Sequence, residues 1–246
     1  MSKKPVLLVI AHGSRDPRHA ATVHALVRRV RALRPDVRVE TGFLDFNIPS
    51  VQGVLESLAS QGVRDVVALP LLLTRAFHAK ADIPAVLRDA PPQLRIRQAE
   101  VLGPSPLLMA ALERRLYEAG LTPADKSSTG VVLASAGSTD PEAIAVIAEI
   151  AREWRHTGWC AVRPAFASAS LPRTEDAVRE LRELGCERVA VAPYVLAPGF
   201  LPDRIARGAA EADVLADVLG AAPEVARVLL ERYEAARVPV LAAVGA

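Results

Sequence analysis

The stretch that decides the fold reads Val6-Leu7-Leu8-Val9-Ile10-Ala11-His12-Gly13-Ser14-Arg15-Asp16-Pro17. Its six apolar residues follow one another without a break, which is typical of a strand buried on both faces of a parallel sheet. Asp16 and Pro17 fit the N-cap and the first turn of a helix. His12 is therefore predicted to lie where a central strand opens into its loop, and ligands bind at that edge in open α/β sheets.

The same pattern returns 124 residues later, where residues 131–141 repeat the strand, the turn and the cap. We predict an α/β fold of two similar half-domains, each a parallel sheet flanked by helices, related by a pseudo-two-fold axis and packed around a cleft. The N-terminal half is predicted to span residues 1–120 and to carry the site. A linker is expected at 121–130, and a degenerate C-terminal half at 131–246.

Composition excludes several classes of protein. The 246 residues are 51% hydrophobic, which is enough for a substantial core, and a net charge of +2 is too small to indicate a nucleic-acid partner. The sequence shows no secretory signal and no apolar stretch of ~20 residues, so we expect a cytoplasmic protein with no membrane partner. Cys160 and Cys186 fit no Cys-x-x-Cys pattern, which argues against a disulfide scaffold, a zinc site or an iron–sulfur cluster.

Two of the five histidines stand out by their position. His12 ends the first strand, and His78 follows a third strand predicted from Val66 to Leu73, with an irregular end at Pro70. In the winding order 2-1-3-4 these strands are neighbours, so the two imidazoles are expected to face each other across the switch point. Neutral imidazole is a common metal ligand, and two of them leave coordination positions open for a substrate.

The spacing of His12 and His78 alone supports two interpretations equally: a shared metal or catalytic site, or two unrelated loop histidines. The repeat favours the site, because it retains the surrounding pattern but has Ala136 and Leu201 in place of His12 and His78. His19, one turn into the first helix, could approach the loop that contains His12, but a half-exposed structural role is favoured.

Further polar residues accompany the histidines. Asp45 follows the second strand at the same edge, where it is either a third ligand or proton acceptor, or an ordinary loop cap. Arg15, Arg75 and Lys80 lie within a few residues of the histidines and form a cationic rim that suits a polyanionic ligand. Ser14 is grouped with them as substrate-binding. Because neither a phosphate-loop motif nor a G-x-G-x-x-G motif is present, nucleotide-driven chemistry is disfavoured.

Three segments, residues 11–17, 42–49 and 70–84, resemble the sirohydrochlorin chelatases, the class II chelatases of sirohaem and cobalamin synthesis. The resemblance covers nearly the whole chain. It implies ATP-independent insertion of Co²⁺ or Fe²⁺, the metal substrate, into sirohydrochlorin or a similar polycarboxylate tetrapyrrole. It also implies metal-binding and catalytic roles for His12 and His78. Asp45 stands where family members usually carry a glutamate.

One alternative from another class stays open: a non-catalytic tetrapyrrole or metal carrier that uses the same cleft. Some long family members add a histidine-rich tail and a cysteine motif for an iron–sulfur centre. This sequence has neither feature, so no such cluster is expected. Since two halves in one chain replace the dimer that a single-half protein would need, we expect a monomer.

Overall fold

A computed structural model describes residues 4–75 and 78–237 of the chain, without the side chains of His78 and Ala79. In the first half the elements are β1 (Val6–Ala11), α1 (Pro17–Leu33), β2 (Val39–Phe43), α2 (Val51–Ser60), β3 (Asp65–Pro70), a π-helical turn (His78–Asp82), α3 (Ile83–Arg88), β4 (Arg95–Gln98) and α4 (Pro106–Glu118). The second half contains a 3₁₀ turn (Pro123–Ser128), β5 (Thr129–Ser135), α5 (Pro141–Arg155), β6 (Ala161–Phe166), α6 (Thr174–Glu183), β7 (Arg188–Tyr194), α7 (Phe200–Gly208), β8 (Val214–Leu215) and α8 (Pro223–Arg237).

Each half contains a four-stranded parallel sheet. The strand orders are β2-β1-β3-β4 and β6-β5-β7-β8, so the predicted order 2-1-3-4 and the predicted fold class are confirmed. β1 pairs with β2 on one side and β3 on the other, and all six of its residues are buried. This accounts for its unbroken apolar run, because both faces and both edges of the strand are covered.

The third strand ends at the proline that interrupts its apolar run. β3 stops at Pro70, and the backbone N–H of Leu71 still donates to the carbonyl of Ile10 at 2.7 Å. The apolar residues that follow, up to Leu73, leave the sheet and line the space between the halves. The prediction of a strand reaching Leu73 was therefore too long, and the irregular end expected at Pro70 marks where the chain turns away.

The last helix of each half packs on the sheet of the other half. α8 packs against α1, α4 and β3, whereas α4 packs against β7 as well as α8. The hydroxyl of Tyr233 on α8 is fully buried and donates to the carbonyl of Pro5 at 2.7 Å. The guanidinium of Arg232 donates to the carbonyls of Val101 and Leu102 at 2.8 and 3.0 Å. The largest hydrophobic core therefore contains residues of both halves.

The predicted linker at 121–130 includes a 3₁₀ turn, and β5 begins within it, at Thr129. The division of the chain into domains stays a prediction. Cys160 and Cys186 are free thiols whose Sγ atoms lie 3.5 Å apart, although they are 26 positions apart in the chain. Burial raises the pKa of Cys186 to about 11, so its thiol stays protonated at neutral pH. In the described part of the chain, none of the helices has the length and apolarity needed to cross a membrane.

Candidate active site

The loop after β1 depends on a glycine, because a side chain at this position would have to displace the loop. Gly13 has a φ of +96°, and a Cβ placed there would lie 1.9 Å from the carbonyl oxygen of Asp45. Gly137 in the second half has a φ of +94° and the same 1.9 Å approach to the carbonyl of Ser168. The two loops are therefore built alike, and His12 is the part that the first loop adds.

Hydrogen bonds complete this loop. The Oγ of Ser14 accepts from the backbone N–H of Asp16 at 3.1 Å, and its own N–H donates to Asn47 at 2.8 Å. Asp16 then caps α1 by accepting from the backbone N–H of Arg18. Ser138 accepts from its own helix cap in the same way in the second half. The hydroxyl of Ser14 thus has a role that the fold itself needs, and its substrate-binding role stays a prediction.

His12 is half-buried beside an exposed aromatic ring. Its ring centre lies 6.3 Å from that of Phe46, and the guanidinium carbon of Arg15 lies 5.3 Å from the same Phe46 ring. The Nδ1 atom of His12 lies 3.3 Å from the carbonyl oxygen of Gly13. Phe46 has a φ of +61°, an uncommon conformation for a residue with a side chain. The loop therefore presents an imidazole, a phenyl ring and a guanidinium together.

A cavity of about 450 Å³ lies between the halves. Its walls come from both halves: α1, α5 and the segments that follow β3 and β7 all contribute. Most of the lining is apolar, as in Val23, Leu26 and Ile147, and His12 is one of its few polar groups. Both sheets therefore direct their carboxyl ends toward one shared space, as the doubled fold predicts.

His19 is partly exposed, as the sequence indicated, and it also lines this cavity, which was the less favoured of the two alternatives. Its Nδ1 atom is buried and has no hydrogen-bond partner in the described part of the chain. Burial, and after it the charge of His12, lowers the pKa of His19, while Asp16 acts in the opposite direction. The helical spacing contained a signal, because His19 lies four residues before the buried Val23 on the same face of α1.

Tyr194 is a second polar residue of the cavity that the sequence did not indicate. It ends β7, it is 2% exposed, and its hydroxyl lacks a partner among the described residues. Burial raises the pKa of this phenol, so it stays protonated. Gly103 makes room for it, since a Cβ at that position would lie 2.4 Å from the hydroxyl.

The remaining predicted site residues lie in different surroundings. Asp45 is exposed, and its carboxylate accepts from the backbone N–H of Phe46 at 2.8 Å, the geometry of a loop cap. Arg75 is exposed, with its guanidinium 3.9 Å from the carboxylate of Glu100. His78 belongs to the π-helical turn after β3, and its side chain lies outside the described residues. Across the described residues, no set of three or more His, Cys, Asp or Glu side chains is placed to hold a metal ion.

Lys80 reaches across the cleft to the second half. Its ammonium donates to the carboxylates of Asp140 and Glu142, at 2.7 Å in each case. The hydrogen bond from Lys80 is the main cause that lowers the pKa of Asp140, and the two acids together raise the pKa of Lys80. The roles predicted for Arg15, Arg75, Lys80, His12, His78 and Asp45 all stay predictions.

The fold defines a doubled α/β protein with a cleft between its halves. The CbiX family model matches residues 6–119 and, a second time, residues 130–236. The chain therefore belongs to the CbiX family, and the family recognised from the sequence motifs is confirmed.

Named relatives align along much of the chain. The sirohydrochlorin cobaltochelatase of Priestia megaterium is 30% identical over 206 residues, which cover 81% of this chain and 66% of that protein. The chain thus spans just under two thirds of this relative. The sirohydrochlorin ferrochelatase of Bacillus subtilis (strain 168) is 28% identical over 210 residues, covering 83% of this chain and 78% of that protein.

Solved structures agree with the fold. SirB from Bacillus subtilis with Fe³⁺ superposes with a TM-score of 0.81 and 26% identity, over 95% of this chain and 96% of that one. A CbiX structure, described as the terminal enzyme for biosynthesis of siroheme in denitrifying bacteria, gives a TM-score of 0.70 at 22% identity over 94% and 99% of the two chains. This second likeness shows the fold alone.

Proposed function

We propose that this chain is a metal chelatase that inserts Co²⁺ or Fe²⁺ into sirohydrochlorin, or a similar polycarboxylate tetrapyrrole, without using a nucleotide. The observation that carries the proposal is the position of His12. It lines the cleft between the halves of a chain whose two halves both match the CbiX family. The metal is a substrate of this reaction, because it leaves the protein inside the macrocycle.

We assign the first metal ligand to His12. Its Nδ1 atom lies 3.3 Å from the carbonyl oxygen of Gly13, its ring lines the cavity, and imidazole nitrogen is a common ligand of divalent metal ions. We assign the second imidazole to His78, in the turn that follows the neighbouring strand. Two neutral imidazoles hold a divalent ion through a minority of its coordination positions, so the pyrrole nitrogens can displace the remaining water ligands.

Insertion of M²⁺ releases two pyrrole protons, so the cleft needs a base. His19 fits this role, since its imidazole lines the same cavity and burial keeps it neutral. The carboxylate of Asp45 is exposed and engaged in its own loop, so it is the weaker candidate. We therefore assign proton uptake to His19, which accepts the two protons one after the other and releases each to solvent through the mouth of the cleft.

The size of the cavity determines how the substrate sits. Cavities of roughly 300–1,000 Å³ enclose drug-sized ligands, and this one, at about 450 Å³, lies in the lower part of that range. A tetrapyrrole with its carboxylate arms is larger than a drug-sized molecule. One part of the macrocycle therefore enters the cavity, while its carboxylate arms lie at the mouth, where Arg15 and Phe46 are exposed.

The decisive experiment is anaerobic turnover of sirohydrochlorin with Co²⁺ and Fe²⁺, followed by the absorption change of the macrocycle. We expect many product molecules per protein molecule and a loss of at least about tenfold in initial rate for His12→Ala, because one of two metal ligands is gone. His156→Ala is the control, since this exposed histidine caps α5 at its end away from the cleft. Stoichiometric binding without turnover would favour the carrier instead.

The assembly and location of the protein are part of the same proposal. We infer a monomer, because α4 and α8 bury their apolar faces on the opposite halves of one chain. Light scattering on the purified protein should give a mass near 26.2 kDa, and a mass twice as large would contradict this. The cytoplasmic location stays a proposal that cell fractionation can test.

A further inference from the structure

Two ion-pair contacts cross the mouth of the cleft. Arg18 at the start of α1 donates to the carboxylate of Asp203 on α7 at 2.7 Å. Lys80 donates to Asp140 and Glu142, at the start of α5, at 2.7 Å in each case. In both contacts the cation belongs to the half that carries His12, and the acid belongs to the other half.

The two contacts occupy equivalent places in the two halves, with their charges exchanged. Arg18 and Glu142 each follow the cap residue of their helix, α1 or α5, by two positions. Lys80 and Asp203 each follow a phenylalanine of the repeat by three positions, in the segments after β3 and β7. The fold therefore accepts a cation or an acid at the start of the helix, with the opposite charge on the other half. Folding does not require that both cations, Arg18 and Lys80, lie on the first half.

Both contacts lie at the rim of the cavity. Arg18 directly precedes His19, Glu142 precedes Ala143, and these two neighbours line the cavity. Asp203 likewise follows Pro202, which also lines it. A ligand larger than the cavity extends over this rim, where it competes with these contacts.

The contacts are suited to exchange. The side chains of Arg18 and Asp203 are 52% and 45% exposed, and that of Lys80 is 37% exposed, beside 20% for Asp140 and 79% for Glu142. Solvent-exposed ion pairs contribute little to stability and are screened by salt. Arg18 also donates to Asp16, the cap of its own helix, at 2.6 Å. This second bond keeps the guanidinium in position when Asp203 moves away.

We propose that Arg18 and Lys80 bind carboxylates of the substrate, and that Asp203, Asp140 and Glu142 occupy these two cations while the cleft is empty. The substrate then enters by exchange: its carboxylates replace the protein's own acids, each cation keeps an anionic partner, and the mouth opens. This inference rests on the proposed function, because it requires a polycarboxylate ligand. Charge-assisted hydrogen bonds between these cations and carboxylates supply the recognition.

The opposite charge arrangements of the two contacts supply a test. The double variant Arg18→Glu/Asp203→Lys gives the first contact the charge arrangement of the second, so the contact is kept while the cation moves to the other half. If Arg18 binds substrate, this variant raises KM for sirohydrochlorin by about tenfold, as Arg18→Gln does, because a charge-assisted bond is lost. A merely structural contact would give the double variant the KM of the wild type.

Removing the competing acid has the opposite effect. Asp203→Asn frees Arg18, so we expect KM to fall by about threefold while kcat stays within a factor of two. Arg152→Gln is the control, because Arg152 makes an exposed pair with Glu149 in the last turn of α5, away from the mouth. It should leave KM unchanged.

Binding of sirohydrochlorin in the absence of metal, measured by its absorption change, separates the two proposals. If the chain binds the macrocycle and the variants shift Kd as described, the exchange is supported even when no turnover is seen. If the wild type turns over but Arg18→Gln and the double variant keep wild-type KM and Kd, the exchange is wrong and the proposed function stands.

Discussion

His19 is a titratable group whose surroundings disfavour its charged form, and this has a consequence for stability. Its pKa in the folded chain lies below the ordinary 6.5, chiefly through burial. As pH falls below about 6.5, the unfolded chain takes up a proton that the folded chain refuses, so stability is lost across this window until His19 itself is protonated. We expect His19→Gln to lose less stability than the wild type between about pH 7 and pH 5.

Urea unfolding at several pH values, in metal-free buffer, measures this difference. The sign is specific, because a histidine whose pKa is raised by an acidic partner would stabilise the folded chain at low pH instead. Equal losses of stability for His19→Gln and the wild type would show that burial at this position does not penalise the charged imidazole.

At the residue scale, the sequence could place a residue only where a local sequence pattern determines its surroundings. His12 could be placed because a fully apolar strand ends directly before it, and the repeat supplied a copy without the imidazole. For His19 the sequence left two surroundings open, because a residue in the first turn of a helix faces either solvent or the neighbouring half, and the sequence does not contain the position of that half. Tyr194 was missed because its position depends on the space at Gly103, a contact between the halves.

At the scale of elements, the two strand-to-helix loops form a matched pair with one chemical difference. Gly13 and Gly137 have nearly the same φ, and each meets a backbone carbonyl at the same distance. We expect Gly13→Ala and Gly137→Ala to cost similar stability, roughly 3 kcal/mol, since each forces a side chain into a left-handed conformation and against that carbonyl.

Activity should separate these two variants. Gly13→Ala displaces the loop that holds His12, so we expect at least about a tenfold loss of chelatase rate. Gly137→Ala displaces a loop that has an alanine, Ala136, in place of His12, so we expect a clearly smaller loss of chelatase rate. Unfolding curves and initial rates, both recorded at a temperature where circular dichroism shows folded protein, give the comparison. Equal losses of rate would mean that the first loop has no special part in the chemistry.

The order of the strands could be predicted because it follows from local rules. The ends of the strands could not always be predicted. Each apolar run followed by a helix gives a right-handed parallel crossover, and few winding orders remain after that. The end of β3 is set by the backbone after Pro70: the N–H of Leu71 donates a last hydrogen bond to the carbonyl of Ile10, and the chain then turns into the cleft. The apolar character of the next residues serves the cavity lining, which the sequence alone does not separate from a strand interior.

At the scale of the whole molecule, the exchange of α4 and α8 between the halves was beyond prediction. Periodicity shows that a helix has one apolar face, but it does not show which of two four-stranded sheets that face covers. The choice is made by contacts far apart in the chain, such as that between Tyr233 and Pro5. The exchanged helices hold the halves together through packing and through hydrogen bonds such as that of Tyr233, so the halves stay joined when the ion pairs at the mouth of the cleft break.

This arrangement predicts that the buried bond on α8 matters more than a similar bond within one helix. Tyr233→Phe removes the hydroxyl of a fully buried side chain and leaves the carbonyl of the half-buried Pro5 without this donor, so we expect a loss of about 1–2 kcal/mol in the free energy of unfolding. Tyr117→Phe is the matched control, because the Tyr117 hydroxyl donates to the half-buried Glu113 within α4, and water can replace it. Its cost should be smaller. Urea unfolding of both variants decides the matter: equal costs would contradict a central role for the exchanged helix, whereas a larger cost for Tyr233→Phe, with one cooperative transition, would show that α8 joins the two halves into a single folding unit.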